Sequence, residues 1–358
     1  MKKVLAALGL AGLAWVVRDI PVAMGRRASG ERAERMARSP QFRDGTFHNR
    51  ASTRSVSPAD LRSTIREYQC GGRRRPAGPI PLVDPAPPVS AGLHITWHGH
   101  ATALVEVDGA RVLVDPVWGD RVSPSRLVGP KRLHRPPHDI AALPRVDAIV
   151  ISHDHYDHLD LAAVRELVRT QDAPFVVPLG IGAHLERWRV PDSRIVELDW
   201  SESVEIGGAR LTATAAQHFS GRGFSRDGTL WASWVIAGAE HRVFYTGDSG
   251  YFDGYAEIGA EHGPFDATLV QIGAYAEGWP DIHMTPEEGV RAHVDVRGGL
   301  LIPVHWATFT LAPHPWADPV RRVLAAAEPH GVRVVVPRPG ERVDVGDPPA
   351  PSTWWEEL

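Results

Sequence analysis

Beyond residue 90 the apolar positions come in short runs broken by Gly, Pro and Asp, a spacing that predicts strands. His94–Trp97 and Ala103–Val107 are two such runs, and Asp108-Gly109 is a two-residue hairpin signal leading into a third, Arg111–Val114. Val146–Ser152 predicts a fourth strand. Leu161, Val164, Leu167 and Val168 then recur at helical spacing, which predicts a helix over Leu159–Thr170 and makes the residues between a strand-to-helix loop. Further strands are expected over Leu211–Ala215, Trp234–Ile236, Val243–Tyr245, Thr268–Ile272, Leu300–Val304 and Val332–Val336, with helices over Pro286–Val294 and Pro319–Glu328. Many strands with a few interspersed helices predict an α/β sandwich rather than a bundle or a pure β barrel.

The first 90 residues read differently. Lys2 and Lys3 precede a 14-residue apolar run, Val4–Val17, closed by Arg18 and Asp19. That length is short for a membrane span and suits an export signal, an uncleaved anchor or an amphipathic helix. Ala23-Met24-Gly25 is the best cleavage signal, and Arg26, Arg27, Arg32, Arg35 and Arg38 after it suit the cytoplasmic side of an anchor. The expectation is a protein associated with a membrane through residues 1–25, or exported. Residues 26–90 form a basic extension that ends in a proline-rich linker over Pro76–Pro88. Residues 91–345 are expected to form the catalytic domain, and 346–358 a tail in which Trp354-Trp355 either meet lipid headgroups or pack.

Charge sharpens the division. The net charge of −4 combines +10 over residues 1–75 with −14 over residues 76–358. A basic leader suits an anionic membrane surface, nucleic acid or plain solvation. One cysteine, Cys70, excludes an internal disulfide and any cysteine-based zinc cluster, so a metal here is held by carboxylates and by some of the 18 histidines.

The chemistry concentrates after the fourth strand, at His153-Asp154-His155-Tyr156-Asp157-His158. In an extended loop His153 and His155 project to one side and can grip one ion, while Asp157 and His158, past the bend, face a second position. A His or Asp just beyond a buried strand recurs at His218, Asp248 and His305, and strand ends on one edge of a sandwich converge. The expected ligand sets are His153, His155 and His218 for one ion and Asp157, His158 and His305 for the other, with Asp248 bridging; Gly247 lets the backbone turn sharply. Around them His98 and His100 are expected beneath the metals, Asp115 orienting a ligand, His283 as a proton donor or phosphate partner, and Lys131, Arg132 or Arg222 as the positive charge that an anionic substrate needs.

The HxHxDH loop with its later His, Asp and His resembles the metallo-β-lactamase superfamily. The stretches Gly99–Thr102, Gly129–Arg132, Val177–Gly180, Glu197–Trp200, Gln217-His218, Thr246–Asp248, Ile272–Tyr275, Pro286–Glu288 and His305–Phe309 are similar to the branch of N-acylphosphatidylethanolamine-hydrolysing phospholipases D, over about residues 94 to 340. The resemblance implies a four-layer αββα fold, two zinc ions, and release of an N-acylethanolamine and phosphatidic acid from a membrane phospholipid. The sequence departs from that branch in its leader and in Phe219-Ser220-Gly221-Arg222-Gly223, which puts the substrate in doubt more than the chemistry. The expected reaction is attack of an ion-activated water on phosphorus, the water held by Asp157 and Asp248, with His283 or water protonating the leaving alkoxide.

Manganese and iron accept the same donors as zinc. A lactonase or other ester hydrolase of the same fold would keep all seven donors and differ in the substrate loops. A nuclease would carry a basic folded body, and −14 argues against a nucleic-acid partner. A redox di-iron protein would place a carboxylate where His155 stands, and a non-catalytic metal-binding protein would have lost ligands, of which none is missing.

Overall fold

The computed structural model describes residues 19–358 except 54–56, 71 and 224. A hairpin of β1 (Phe42–Arg43) and β2 (Thr46–Phe47) stands apart from two seven-stranded mixed sheets that stack face to face. The first sheet is built from β3 (Leu93–Gly99), β4 (Thr102–Val107), β5 (Ala110–Val114), β6 (Ala148–Val150), β7 (Phe175–Pro178), β8 (Ile195–Leu198) and, from the end of the chain, β16 (Arg342–Asp344). Its order is β16-β3-β4-β5-β6-β7-β8. The second is built from β9 (Ser203–Ile206), β10 (Ala209–Thr214), β11 (Ser233–Ala237), β12 (Arg242–Tyr245), β13 (Phe265–Gln271), β14 (Gly298–Val304) and β15 (Arg333–Val334), in the order β15-β14-β13-β12-β11-β10-β9.

Side-chain alternation explains the stacking. Val112, Val114, Ala148, Val150 and Val176 point into a core shared with Leu211, Ala213, Trp234, Ile236 and Tyr245 of the facing sheet. Their neighbours Leu113, Ile149, Phe175 and Val177 point outward and pack under Leu161, Val164 and Leu167 of the helix Leu161–Thr170. Helices Gly254–His262, Pro286–Asp295 and Asp318–Ala327 pack on the second sheet. The result is the four-layer αββα sandwich. Central strands β5–β6–β7 and β12–β13–β14 run parallel, so their C-terminal ends lie on one edge, where open α/β sheets bind ligands.

The basic leader does not stand off from this body. Arg32 pairs with Glu186 (2.8 Å) and with buried Glu197, Arg35 with Glu202 (2.5 Å) and Arg50 with Glu257 (3.0 Å). Phe47 is buried, and its N–H donates to the Asp227 carbonyl at 2.8 Å. Between Pro76 and Gly92 no helix or strand forms, but the chain is stitched to the body through Ala77 N–H to Leu358 O, Val83 N–H to Pro339 O and Val89 N–H to Glu106 Oε1. Several basic residues of the described leader thus pair with acidic residues of the body.

The expected membrane-associating segment over residues 1–25 is corrected by the same packing. Among the described residues no helix is long and apolar enough to cross a membrane. Residues 1–18, including the run Val4–Val17, lie outside the described residues. The described part, the four-residue helix Ile20–Ala23, is held against the body: Arg222 Nε donates to Ala23 O at 2.8 Å and Trp188 Nε1 to Val22 O at 2.7 Å. Trp354 and Trp355 are buried; both rings lie against Trp306, at 5.3 and 6.0 Å, and Trp97 and Trp316 complete the cluster.

Candidate metal centre

β6 ends at Val150, and two residues later the chain enters the His153–His158 loop, closed by the helix that Asp160 caps through its contact with Ala162 N. β12 ends at Tyr245 and turns through Gly247 (φ 55°) to Asp248. A Cβ on Gly247 would stand 2.8 Å from Ser152 Cβ and 3.0 Å from Ala232 O, so only glycine seats this turn against the neighbouring loop. β10 leads to His218 and β14 directly to His305.

These strand ends bring all seven expected donors together. His153 Nε2 lies 2.8 Å from His155 Nδ1, which lies 3.2 Å from His218 Nε2. Asp248 Oδ2 is central: 3.1 Å from His158 Nε2 and from His305 Nε2, and 4.0 Å from His153 Nε2 and His218 Nε2. Asp157 Oδ2 lies 3.3 Å from His305 Nε2 and 3.5 Å from His158 Nε2. Within each set of candidate ligands, the donor atoms lie inside 4.8 Å of one another.

The donor set fits a divalent cation. Tautomers are fixed from behind: His158 Nδ1 meets Asp115 Oδ2 at 2.6 Å and His218 Nδ1 donates to the Ile282 carbonyl at 2.8 Å, which leaves both Nε2 lone pairs facing inward. His158 Nε2 and Asp248 Oδ1 are buried without a hydrogen-bond partner, a cost that an ion would remove. Electrostatics agree. Burial opposes a charge on His158, yet Asp248, Asp157 and Asp115 hold it well above its ordinary value, and His305 is raised to about 9 against the same burial. Burial also opposes ionisation of Asp157 and Asp248, but the surrounding histidines hold both well below the carboxylate range. A cluster that so attracts protons attracts divalent cations in their place.

Four of the non-glycine residues with positive φ lie at this edge. His100 (φ 52°), Asp115 (φ 39°), His305 (φ 65°) and Ala307 (φ 58°) occupy the left-handed region, at about 1–3 kcal/mol each for side-chain-bearing residues.

The outer groups divide. Asp115 anchors more than His158: it accepts from Ser152 N (2.7 Å), Ser152 Oγ (2.5 Å) and Tyr245 OH (2.5 Å). His100 Nε2 donates to Asp157 Oδ2 at 2.9 Å. His283 Nδ1, without a hydrogen-bond partner, stands 3.9 Å from Asp248 Oδ2, and burial lowers its pKa to about 4. His98 does not join them. A β-bulge between Trp97 and Gly99 breaks the alternation that would put it beside His100, and its ring packs against Trp118 and His138.

The three expected cations are also corrected. Lys131 is exposed on a bridge to Arg121. Arg132 is buried, donating from Nε to Gly119 O (2.9 Å) and from Nη2 to Val117 O. Arg222 is buried behind the loop, where it binds the carbonyls of Ala23, Asp154 and Leu159 under the Tyr156 ring. Both guanidiniums are held by backbone carbonyls away from the cleft, although Arg132 Nη1 and Arg222 Nη2 keep no hydrogen-bond partner. The cation at the cleft is Arg226, four residues further on, which lines a cleft of about 560 Å³ over Asp157 and Asp248 together with Phe219, Trp279 and Leu311. A glycine-rich loop has no periodicity to show which of its arginines turns inward.

Sequence pattern also gives no sign of Asn49 in the leader. Its Nδ2 donates to His218 O at 2.8 Å, and its Oδ1 accepts from His218 N at 3.0 Å and from Trp231 Nε1 at 2.9 Å. This side chain clamps the backbone of a candidate ligand.

Fold and site together define a metal-dependent hydrolase of the metallo-β-lactamase superfamily. The chain belongs to that superfamily: residues 110–306 match the model of the beta-lactamase superfamily domain. An uncharacterized protein of Mycobacterium tuberculosis is 53% identical over 98% of this chain and 97% of its own length. The N-acyl-phosphatidylethanolamine-hydrolyzing phospholipase D 1 of Caenorhabditis elegans is 38% identical over 62% of this chain and 65% of its own. Among solved structures, the metallo hydrolase Igni18 of Ignicoccus hospitalis matches the fold with a TM-score of 0.54 at 24% identity, over 70% of this chain and 97% of that one.

Proposed function

We propose that the protein is a phosphodiesterase of phospholipase D type that releases an N-acylethanolamine and phosphatidic acid from N-acylphosphatidylethanolamine-like phospholipids, using two zinc ions. The observation that carries this reading is the placement of His155, Asp157 and Asp248, three of the seven clustered donors, at the floor of a 560 Å³ cleft walled by Phe219, Trp279 and Leu311 with Arg226 at its side. Apolar walls suit acyl chains and an arginine suits a phosphate. The likeness to the worm phospholipase supports the same substrate class.

His153, His155 and His218 would hold one ion and Asp157, His158 and His305 the other, with Asp248 between. Ions so held supply a nucleophilic water near neutral pH and charge to offset that of the transition state. Asp157, kept ionised, orients the attacking water through the oxygen that His100 fixes from behind. Arg226 neutralises a phosphoryl oxygen. His283, with a pKa near 4, is neutral at physiological pH, so it serves as a hydrogen-bond donor to phosphate and the departing alkoxide takes its proton from water.

Metal analysis of the purified protein, joined to product detection on N-acylphosphatidylethanolamine, a choline phospholipid and a lactone panel, tests the reading. Two metals per chain and N-acylethanolamine release are expected. Two metals with lactone opening and no lipid product would replace the substrate by that of an ester hydrolase.

A further inference from the structure

A second pocket, of about 420 Å³, adjoins the metal cleft and shares Phe219 and Arg226 with it. Its far wall is the leader, which supplies Arg43, His48 and Arg50. Three guanidiniums therefore face one carboxylate, Asp227, whose oxygen already accepts from Ser220 N at 3.3 Å. Arg50 is paired with Glu257 and Arg226 acts on Asp227 through space, whereas Arg43 makes no ion pair among the described residues. Arg226 instead lies over the Phe219 ring at 4.1 Å, and the other neighbours of that ring are His155 at 4.4 Å and His218 at 4.9 Å. The pocket thus reaches the candidate ligand His218, which lines it beside Phe219, and it stays cationic within a body that is acidic overall.

We propose that this pocket is an oxyanion subsite, in which Arg43, with Arg226 shared between the pocket and the metal cleft, binds a second phosphate-class group of the substrate. The inference rests on the phosphodiesterase reading, and it adds, within that substrate class, a preference for members that carry such a second anion. The leader thereby gains a chemical role, since β1 and β2 present Arg43 and hold His48, so that the arm completes the specificity wall. Two charge-assisted contacts of this kind correspond to a preference of roughly tenfold or more.

The test compares matched phosphodiesters with and without a distal phosphate monoester, presented both as soluble esters and in mixed micelles. The full-length protein should prefer the phosphorylated member at least tenfold in kcat/KM, mainly through KM, and the preference should shrink with salt. Arg43→Gln with Arg226→Gln should abolish the preference and Arg226→Lys should restore part of it, while Arg210→Gln, at an exposed pair remote from the pocket, should keep it. A preference seen only in micelles assigns the anion to a lipid headgroup, and one seen with both presentations assigns it to phosphate esters in general. Equal turnover of both members overturns the subsite. If neither member is hydrolysed, the phosphodiesterase reading fails on its own, and calorimetric titration with inorganic phosphate then decides the subsite: at least fivefold weaker binding by the double variant keeps it, and equal binding removes it.

Discussion

The two ends of the sandwich obey different rules. At the far end, two hairpins turn on residues chosen for the turn, although Arg297 (φ 64°) before β14 is an exception: Asp108-Gly109 (φ 48° and 94°) joins β4 to β5, and Gly207-Gly208 (φ 60° and 90°) joins β9 to β10. At the metal end the same left-handed backbone falls on His100, Asp115 and His305, which gain nothing locally from it. The far end has its own titratable pair, His241 Nδ1 with Asp108 Oδ1 at 2.7 Å, and Asp108 also accepts from the backbone of Glu240 and His241. That pair closes one sheet onto the other through groups that are all hydrogen-bonded. The metal end leaves buried donors without partners. Local cost is accepted where a ligand can repay it.

Substitutions can break this contrast, the largest effect first. Asp248→Asn should abolish metal loading and turnover together, a loss of at least about a hundredfold, since the central oxygen serves both donor sets. Full activity in that variant would remove the assignment. Asp115→Asn should weaken metal affinity by roughly 10- to 100-fold while leaving the seven donors in place, because it orients His158 rather than facing an ion; titration with a chromophoric chelator measures it. Asn49→Ala should lower metal affinity less, about tenfold or below, and a chelator curve identical to that of the wild type would make the leader clamp irrelevant to the site.

The smallest effect belongs to the far end. Asp108→Asn should cost about 0.5–1.5 kcal/mol of stability and leave turnover intact. Its pH dependence has a fixed sign. The hydrogen bond to Asp108 raises the pKa of His241, so that contribution is fully present below about 6.5 and is lost as pH rises through the folded value. Burial opposes ionisation of Asp108, but the N–H groups of His241 and Glu240 and the His241 ring hold it below 3.8, so its contribution is present above that value and lost on further acidification. Thermal melts should therefore show a wider gap between wild type and variant at pH 5 than at pH 9. An equal gap would mean that only the neutral backbone contacts matter.

Sequence pattern alone locates the metal end well, for a physical reason. A ligand that follows a buried strand announces itself, because a charged or imidazole side chain after Val-rich runs such as Val146–Ser152 has no packing role. The sandwich follows from the same runs. What stays illegible depends on tertiary direction. Arg222 and Arg226 are equivalent in sequence, yet one is spent on buried carbonyls and the other faces the cleft. His98 and His100 read as a same-face pair until the bulge at Trp97/Gly99 separates them. Asn49 carries no motif, and only the docked leader brings it to His218, 169 positions away. Strands β7, β8, β9 and β16 escape the pattern: the last three lie at sheet edges with little apolar alternation to read, and β7 is a short interior run buried at every position, with no alternation at all.

The span of that clamp bears on how the protein is made. Asn49 emerges early in synthesis, but its partners His218 and Trp231 follow 169 and 182 positions later, and Trp306 receives Trp354 and Trp355 only when the last residues appear. Closing loops of that size is slow compared with local folding. The histidine loop at 153–158 is thus available to capture metal well before His218, Asp248 and His305 exist to complete the set. Until His305 has been added the chain offers only part of that donor set, and the leader's clamp, whose partners are His218 and Trp231, is available before the set is complete.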